Sequence, residues 1–433
     1  MTFKPRRDWL ELDDGFHDVV QPVRFPEHHL RFWNERALQT VGLHTVDPVE
    51  HFARFEPLPG SLPEPLALRY HGHQFRHYNP DLGDGRGFLY AQVEDGHGRL
   101  LDIGTKGSGP TPWSRGGDGR LTLQGGVREV LAAELLEARG VKTCRILTLV
   151  ETGERLSRHD EPSPTRSCVM TRLSWSNVRF GTFQRLRYFQ DKRRMERLLD
   201  YCQRLVPHDS PTHFLAQVTE RAAETCAGWI AADFVHGVLN TDNLNITGES
   251  FDYGPWRFLP ELDPMFTAAY FDHSKLYSFA RQPEAVFWNL QRLAEALSEL
   301  VPMKELSPAL NDFGPALDAA MKRRFAARLG LKSVDDALLG AFETWLRTRT
   351  VGYDEAFHHI WGGEVRGSFE GAEFVALQRA LESAESAGHA RPPLCSLYID
   401  EVRAIWADIA ERDDWSSFED KVTAIRASRL PGP

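Results

Sequence analysis

The chain is poor in the features that would place it among secreted, disulfide-rich or membrane proteins. Its 433 residues include only five cysteines, an odd and widely spaced set. Such a set is typical of reduced, buried thiols rather than of a disulfide framework. No apolar run approaches the roughly 18 residues of a membrane span, and the first residues lack the apolar core of a signal peptide. We therefore expect a cytoplasmic protein with no membrane partner.

The sequence also lacks an excess of basic residues and a zinc pattern. Lysine and arginine number 51 against 61 aspartates and glutamates, which gives a net charge of −10. Because nucleic acids bind to basic surfaces, no nucleic-acid partner is expected. His71, His73 and His77 have no further His or Cys at zinc spacing, so they do not predict a zinc site. The 42% hydrophobic and 26% charged composition is ordinary for a soluble globular enzyme.

The most informative stretch that is present lies at residues 236–243, which read HGVLNTDN and precede an Asp-Tyr-Gly turn that begins at Asp252. A protein kinase loop has the form H-R-D-x-x-x-x-N, in which the Asp accepts the substrate hydroxyl proton and the Asn holds Mg²⁺. Aligning His236 and Asn243 with this pattern puts Val238 at the position of the Asp. Valine cannot accept a proton. The pattern therefore predicts a nucleotide and metal site but not ordinary phosphoryl transfer.

A second pair of residues supports a kinase-like nucleotide site. Lys106 ends an apparent strand, and Glu129 lies near the start of an apparent helix. A kinase needs a strand lysine held by a helix glutamate, because an unpaired ammonium on its flexible stem would not stay near the phosphate oxygens. The order Lys106, Glu129, Asn243, Asp252 is the kinase order, so the four residues together predict nucleotide binding.

Several long runs resemble the selenoprotein O family, also called the YdiU family, over about residues 60 to 300. The matching runs lie at residues 72–75, 82–86, 106–115, 117–120 and 236–255. The resemblance implies a protein-kinase-like fold of the α+β class, with a small β-rich lobe and a larger helical lobe. It also implies protein adenylylation, in which ATP lies reversed in the cleft and AMP passes to a Ser, Thr or Tyr hydroxyl while pyrophosphate leaves.

The same resemblance implies a set of site residues. Asp242 would accept the proton, while Asn243 and Asp252 would hold Mg²⁺ or Mn²⁺. The implied ATP contacts are Gly83, Gly85, Arg86, Lys106, Asp118, Gly119, Arg172, Arg179 and Asp252, with Glu129 as the ion-pair partner of Lys106.

The residues themselves make sense of these roles while leaving alternatives open. Glycine-rich turns at residues 83–87 and 116–120 let backbone N–H groups approach phosphates and tolerate positive φ, although ordinary hairpin turns have the same composition. The guanidinium forks of Arg172 and Arg179 suit phosphate oxygens, although surface arginines are also common. Asp242 is the natural replacement for the missing base, unless it belongs to a plain turn.

Along the chain, a β-rich region precedes a helical one. We expect an N-lobe over residues 1–175 and a C-lobe over residues 176–433, in a protein for which a monomer is favoured. Alternating apolar residues and Gly turns suggest strands up to Lys106 and again at residues 146–150 and 167–170. Periodic apolar residues predict helices at residues 127–140, 214–234, 283–300, 316–329, 372–384 and 400–410.

Two departures from the family pattern bear on regulation and acceptor choice. Family members often carry a cysteine or selenocysteine near the C-terminus, whereas this chain ends Arg-Leu-Pro-Gly-Pro, so no redox control is expected. The stretch after about Val301 also matches poorly. A catalytically silent nucleotide-binding scaffold, a UMP transferase and a true kinase with Asp242 as its base remain alternatives to AMP transfer.

Overall fold

A computed structural model of the chain describes residues 2–158, 161–364 and 369–431. Among these residues, nine strands form one antiparallel sheet in the order β2-β4-β7-β8-β11-β10-β3, with β1 paired to β7 and β9 to β11. Two further strand pairs, β5 with β6 and β12 with β13, stand apart from it. The strands are β1 (Pro5–Arg6), β2 (His17–Val19), β3 (His29–Trp33), β4 (Leu66–Leu68), β5 (Gly72–Gln74), β6 (His77–Asn79), β7 (Leu89–Glu94), β8 (Leu100–Lys106), β9 (Leu121–Thr122), β10 (Arg145–Leu156), β11 (Thr165–Ser174), β12 (Phe234–Val235) and β13 (Arg257–Phe258).

Helices dominate the described chain after the sheet. They are α1 (Glu35–Gln39), α2 (Pro48–Phe52), α3 (Leu123–Ala138), α4 (Phe180–Tyr188), α5 (Lys192–Cys202), α6 (Pro211–Ala231), α7 (Gln282–Leu297), α8 (Met303–Asn311), α9 (Phe313–Leu329), α10 (Asp336–Leu346), α11 (Tyr353–Ile360), α12 (Ala372–Leu381), α13 (Ile399–Arg412) and α14 (Ser416–Ala427). Short 3₁₀ turns lie at Asp8–Glu11, Thr241–Asn243 and Phe279–Arg281. None of the described helices is long and apolar enough to cross a membrane.

The central strands β8 and β11 are almost continuously buried. They are covered on both faces, since Leu100 and Met170 belong to the apolar cluster that includes α3, while Ile103 and Val169 belong to the cluster that includes α1 and α2. Strands enclosed in this way favour unbroken apolar runs, and polar residues within them stand out as functional candidates. Lys106 at the end of β8 and Arg172, which is paired in register with Gly104, are such residues.

Helix α3 begins at Leu123, four residues before the predicted start. The side chain of Thr122 accepts a hydrogen bond from the N–H of Gly125, which caps the helix. A Cβ atom at Gly126 would lie 2.5 Å from Cδ1 of Leu149, so glycine lets the first turn pack closely on β10. The predicted end is confirmed, because the helix stops at Ala138 and Gly140 follows with φ +77°.

Helix α6 is the buried centre of the helical region and leads into residues 236–243, which we call the catalytic loop after the kinase pattern that they resemble. Ser210 caps its start, Pro211 occupies the first turn, and the helix ends at Ala231. The predicted end at residue 234 is therefore three residues too late, since Asp233 takes a left-handed conformation with φ +55° before the chain enters β12.

This arrangement confirms the predicted α+β, kinase-like fold with a small β-rich region and a larger helical one. The last strand of the sheet ends at Ser174 and α4 begins at Phe180, while the division into domains at residues 175 and 176 stays a prediction. The C-terminal helices return to the sheet side, where Arg426 of α14 pairs with Glu134 of α3 at 2.8 Å. All five cysteines lie in the described residues, are buried and form no disulfide.

Candidate active site

A cavity of about 720 Å³ lies between the sheet and the catalytic loop. Its volume is within the usual range of small-molecule sites. The structure brings eleven predicted residues to its walls, namely Gly83, Gly85, Arg86, Lys106, Asp118, Gly119, Arg172, Arg179, Asp242, Asn243 and Asp252. Glu129 lies behind the wall, where it contacts Lys106.

The lysine and the helix glutamate form the expected ion pair. Lys106 and Glu129 are both buried, with 6% and 3% of their surfaces exposed. Nζ of Lys106 donates to Oε1 of Glu129 and lies 3.6 Å from Oδ1 of Asp252. The ammonium is therefore held between the helix and the Asp-Tyr-Gly turn, at a fixed place on the cavity wall.

Asp252 is surrounded by cations. It takes a left-handed conformation with φ +57°, and its two oxygens accept hydrogen bonds from Nη1 of Arg172 at 2.5 Å and from Nη1 of Arg179 at 2.6 Å. Burial alone would raise the pKa of this carboxyl, but Arg172, Arg179 and Lys106 hold the pKa of Asp252 well below its usual value. Asp252 is therefore ionised, as a metal ligand has to be.

Arg179 contacts three separate segments of the cavity wall. It precedes the first residue of α4, and its Nη1 atom also donates to the backbone oxygen of Asp242 at 2.7 Å. Its Nη2 atom lies 3.6 Å from Oδ1 of Asp84. A single guanidinium thus contacts residues 236–243, the Asp-Tyr-Gly turn and the first glycine-rich loop.

Asp242 has the opposite environment to Asp252. It lies in the 3₁₀ turn Thr241–Asn243 and is buried. Its Oδ1 atom has no hydrogen-bond partner among the described residues. Burial raises the pKa of Asp242 to about 6. The side chain is thus more basic than an ordinary aspartate, and it lines the cavity.

A closed ring of hydrogen bonds, which the sequence interpretation missed, holds the catalytic loop. The N–H of His73 donates to Oγ1 of Thr241 at 2.7 Å, and this hydroxyl donates to Oε1 of Gln184 at 2.7 Å. Nε2 of Gln184 in turn donates to Nδ1 of His73 at 2.9 Å. Burial lowers the pKa of His73 to about 4, so the imidazole is neutral and can accept this bond at neutral pH.

The glycine-rich loops serve the cavity in two different ways. Gly83 and Gly85 do not have the positive φ that was expected of the first loop. They are needed for space, since a Cβ atom at Gly83 would lie 2.4 Å from the ring of Trp113. The expectation holds in the second loop, where Gly119 has φ +68° and a Cβ atom would lie 2.1 Å from the carbonyl carbon of Gly109.

The cavity is basic although the whole chain is acidic. Among the described residues, seven basic and four acidic side chains line it: Arg86, Lys106, Arg115, Arg120, Arg158, Arg172 and Arg179 against Asp84, Asp118, Asp242 and Asp252. Asp118 lies at the exposed rim and pairs with Arg158 at 2.8 Å. A surplus of cations around a cavity of this size suits a polyanionic ligand such as a triphosphate.

Four further residues line the cavity but were not predicted from the sequence: Asp84, Trp113, Arg115 and Arg158. Asp84 could have been predicted, because it lies between two glycines that were predicted to contact ATP. Trp113 and Arg115 belong to a run that carried the family resemblance, but only Lys106 was taken from that run. No local pattern marks Arg158.

The oxygen donors of the site fit a hard divalent cation. The carboxylates of Asp252 and Asp242 and the amide oxygen of Asn243 are the ligand types that Mg²⁺ and Mn²⁺ prefer. No cluster of three or more His, Cys, Asp or Glu in the described residues could hold a metal by itself. Phosphate oxygens and water would therefore complete the coordination, as is usual for Mg²⁺ in nucleotide sites.

Comparison with known proteins gives this site a family. The family model described as protein adenylyltransferase SelO matches residues 1–386. The chain belongs to the SelO family. A relative from Synechocystis sp. is 41% identical over 476 residues, covering 99% of this chain and 98% of the relative. A relative from Synechococcus elongatus is 48% identical over 373 residues, covering 81% and 74%. Both are named protein nucleotidyltransferase YdiU.

SelO membership confirms the resemblance found in the sequence and the predicted enzyme class, a nucleotidyltransferase. The roles of individual residues stay predictions. Among solved structures, ROP2 from Toxoplasma gondii, described as a virulence factor with a protein-kinase fold and no enzymatic activity, shares 15% identity. The match covers 82% of this chain and 92% of ROP2 at a TM-score of 0.28. This TM-score is too low to describe the fold, which follows from the strand pairing and helix packing of the chain itself.

Proposed function

We propose that this SelO-family protein transfers AMP from ATP to Ser, Thr or Tyr hydroxyls of proteins and releases pyrophosphate. The observation that carries the proposal is that Asp242 lines the same cavity as Lys106, Arg172 and Asp252, while valine occupies the position of a kinase base at residue 238. The family description as protein adenylyltransferase and the relatives' name as protein nucleotidyltransferase support a nucleotidyl group and a protein acceptor.

The cations on the cavity wall would stabilise the leaving pyrophosphate. Lys106, Arg172 and Arg179 are fixed by Glu129 and Asp252, so they need little rearrangement as negative charge grows on the leaving group. Each arginine uses its Nη1 atom on Asp252, and a guanidinium has five N–H donors in all. Both can therefore contact phosphate while the ion pairs persist.

Asn243 and Asp252 would hold the divalent cation, Mg²⁺ or Mn²⁺, which supplies charge neutralisation at the phosphates when bound. Both carboxylate oxygens of Asp252 accept from arginines. Each of these oxygens has a second lone pair, so Asp252 can coordinate the cation while both ion pairs persist.

Asp242 would act on the acceptor. In the transfer step, a bond forms between the acceptor oxygen and the α-phosphorus, and the bond from the α-phosphorus to the bridging oxygen breaks. The hydroxyl proton passes to the carboxylate of Asp242, and pyrophosphate leaves with the bonding electrons. Burial raises the pKa of Asp242 to about 6, which makes it a better proton acceptor than an ordinary aspartate.

Parallel incubations with α-labelled and γ-labelled ATP test the proposal. Protein should acquire label from the α position only, and one pyrophosphate should be released for each AMP attached. Lys106→Met should abolish labelling, while Lys332→Met, at an exposed lysine outside the cavity, should not. Label from γ-ATP alone would establish a kinase, no label would indicate a silent scaffold, and stronger labelling from α-labelled UTP would indicate UMP transfer.

A further inference from the structure

The segment after the Asp-Tyr-Gly turn exposes two neighbouring aromatic side chains. Tyr270 and Phe271 are 81% and 45% exposed, and their ring centroids lie 5.1 Å apart. We call the surface formed by these two residues the aromatic face. Exposed apolar surface of this kind commonly marks an interaction site.

The aromatic face is built on an ordered turn. The buried carboxylate of Asp272 accepts hydrogen bonds from the N–H groups of Leu276 at 2.9 Å and Tyr277 at 2.8 Å. The N–H of Phe279 donates to the backbone oxygen of Phe266 at 3.0 Å, which closes the base of the segment. Because these hydrogen bonds fix the backbone of the segment, Tyr270 and Phe271 are held in exposed positions.

A chain of contacts joins the aromatic face to the catalytic loop. The ring of Phe271 lies 5.7 Å from that of Phe75, which lies 5.0 Å from that of Tyr277. The N–H of Phe75 and the hydroxyl of Tyr277 both donate to Oδ1 of Asn240, at 3.1 and 2.9 Å. Asn240 in turn accepts from the N–H of Asn243 at 3.0 Å.

The aromatic face also adjoins the cavity. Gln74, which precedes Phe75, lines the cavity together with Asp242. A protein acceptor is too large to enter a space of about 720 Å³. Its chain has to lie across the surface around the opening while one hydroxyl reaches Asp242.

Charges around the aromatic face favour a polypeptide over an anionic surface. Arg76 and Arg281 share one acidic partner, Glu284, at 2.7 and 2.8 Å, so one positive charge remains uncompensated in this group. A membrane or nucleic-acid surface is usually bound by a cluster of several uncompensated basic residues. Aromatic side chains, in contrast, are typical of the cores of protein interfaces.

We infer that the aromatic face holds the acceptor polypeptide by contacting an apolar residue close in sequence to the hydroxyl that receives AMP. This inference rests on the proposed function and adds an acceptor preference to it. The preference is for a Ser, Thr or Tyr with a large apolar neighbour within a few residues.

Two synthetic peptides of equal length and charge test the inference. Each carries one threonine in a Gly-Gln background, and one of them has leucines two residues before and after the threonine. The wild-type protein should modify the leucine peptide from α-labelled ATP with a kcat/KM at least about tenfold higher, the factor expected for one well-buried apolar anchor.

The Tyr270→Ala variant should lose most of this preference while modifying the polar peptide as the wild type does. The side chain of Tyr270 is 81% exposed, so folding should be unaffected, and ATP affinity by calorimetry should be unchanged. Val375→Ala, at an exposed position on α12 (43%), should keep the preference.

Different outcomes overturn the inference and the proposed function. Equal use of the two peptides by the wild type, or an unchanged preference in Tyr270→Ala, would overturn the aromatic face as an acceptor site and leave AMP transfer intact. Absence of α-label on both peptides and on the protein itself would overturn the proposed function and the inference with it.

Discussion

The turn that carries Asp252 and the loop that carries Asp242 line the same cavity but surround their carboxylates differently. Asp252 accepts from Arg172 and Arg179, and these cations with Lys106 outweigh burial and hold its pKa well below the usual value. Asp242 is buried with one unpartnered oxygen, and burial raises its pKa to about 6. Two aspartates ten positions apart are thereby suited to different tasks, one to binding cations and the other to accepting a proton.

The difference follows from the elements that meet each residue. Asp252 faces Lys106 at the end of β8, Arg172 within β11 and Arg179 before α4. The neighbours of Asp242 are instead a hydrogen-bonded ring and the β5–β6 hairpin, where a Cβ atom at Gly72 would lie 3.2 Å from Oδ1 of Asp242. Neighbouring positive charges thus lower the pKa of Asp252, whereas exclusion of water raises the pKa of Asp242.

Removing the charge of Asp252 should have the largest effect. We expect Asp252→Asn to lower turnover by about 10³-fold or more, because it removes the proposed metal ligand and leaves two arginines without their counter-charge. Metal-dependent ATP affinity, measured by calorimetry, should fall with it. Asp318→Asn, at an exposed aspartate of α9 paired with Lys322 at 2.8 Å, is the matched control. Unchanged metal–nucleotide affinity in Asp252→Asn would remove Asp252 from the metal site.

Removing the basicity of Asp242 should affect turnover but not binding. Asp242→Asn keeps the shape of the side chain, so ATP affinity should change little. Turnover should fall by about 10²- to 10⁴-fold, the usual contribution of a general base. If this variant kept full turnover, Asp242 would have no part in proton transfer.

The contrast between these two aspartates could be predicted only in part from the sequence. Lys106, Glu129, Asn243 and Asp252 were found because each belongs to a short pattern whose chemistry fixes its neighbours. The ring of His73, Thr241 and Gln184 was missed, because its partners are 57 to 168 positions apart and are polar residues of ordinary types. Only the folded chain shows that they meet.

The packing of the C-terminal helices likewise could not be predicted from the sequence. Periodic apolar residues predicted a helix at residues 400–410, and the structure has α13 there. The pattern could not show that the following helix, α14, packs on α3, the helix that carries Glu129. That contact depends on an ion pair between Arg426 and Glu134, 292 positions apart. Periodicity reveals that a helix has an apolar face, but not which element covers it.

Breaking the ring should have a smaller effect than changing either aspartate. Thr241→Val removes the hydroxyl at constant shape, and we expect kcat to fall about tenfold, the equivalent of one to two hydrogen bonds. The KM for ATP should not change, because Thr241 does not line the cavity. Thr241→Ser keeps the hydroxyl and should restore most of kcat. Equal activity of the valine and serine variants, compared per folded molecule, would show that the ring only stabilises the fold.

The smallest expected effect is on the pH dependence of stability, and it comes from two glutamates outside the cavity. One is surrounded by arginines, and the other is buried. Glu137 repeats the environment of Asp252: burial would raise its pKa, but Arg36, Arg145 and Arg429 lower it to about 2. Glu249 repeats that of Asp242, since burial raises its pKa to about 8 although it accepts a hydrogen bond from the N–H of Trp175 at 2.9 Å. Unfolded, both should titrate near 4.5.

The two glutamates should therefore give stability opposite dependences on pH. Folding lowers the pKa of Glu137, so its contribution is present above pH 4.5 and is lost as the pH falls toward 2. Folding raises the pKa of Glu249, so its contribution is present below pH 4.5 and is lost as the pH rises toward 8. Denaturant unfolding between pH 3 and 9 should show the advantage of wild type over Glu137→Gln shrinking in acid. Glu249→Gln should gain on the wild type in base, and a pH-independent difference for either variant would contradict the assigned environment.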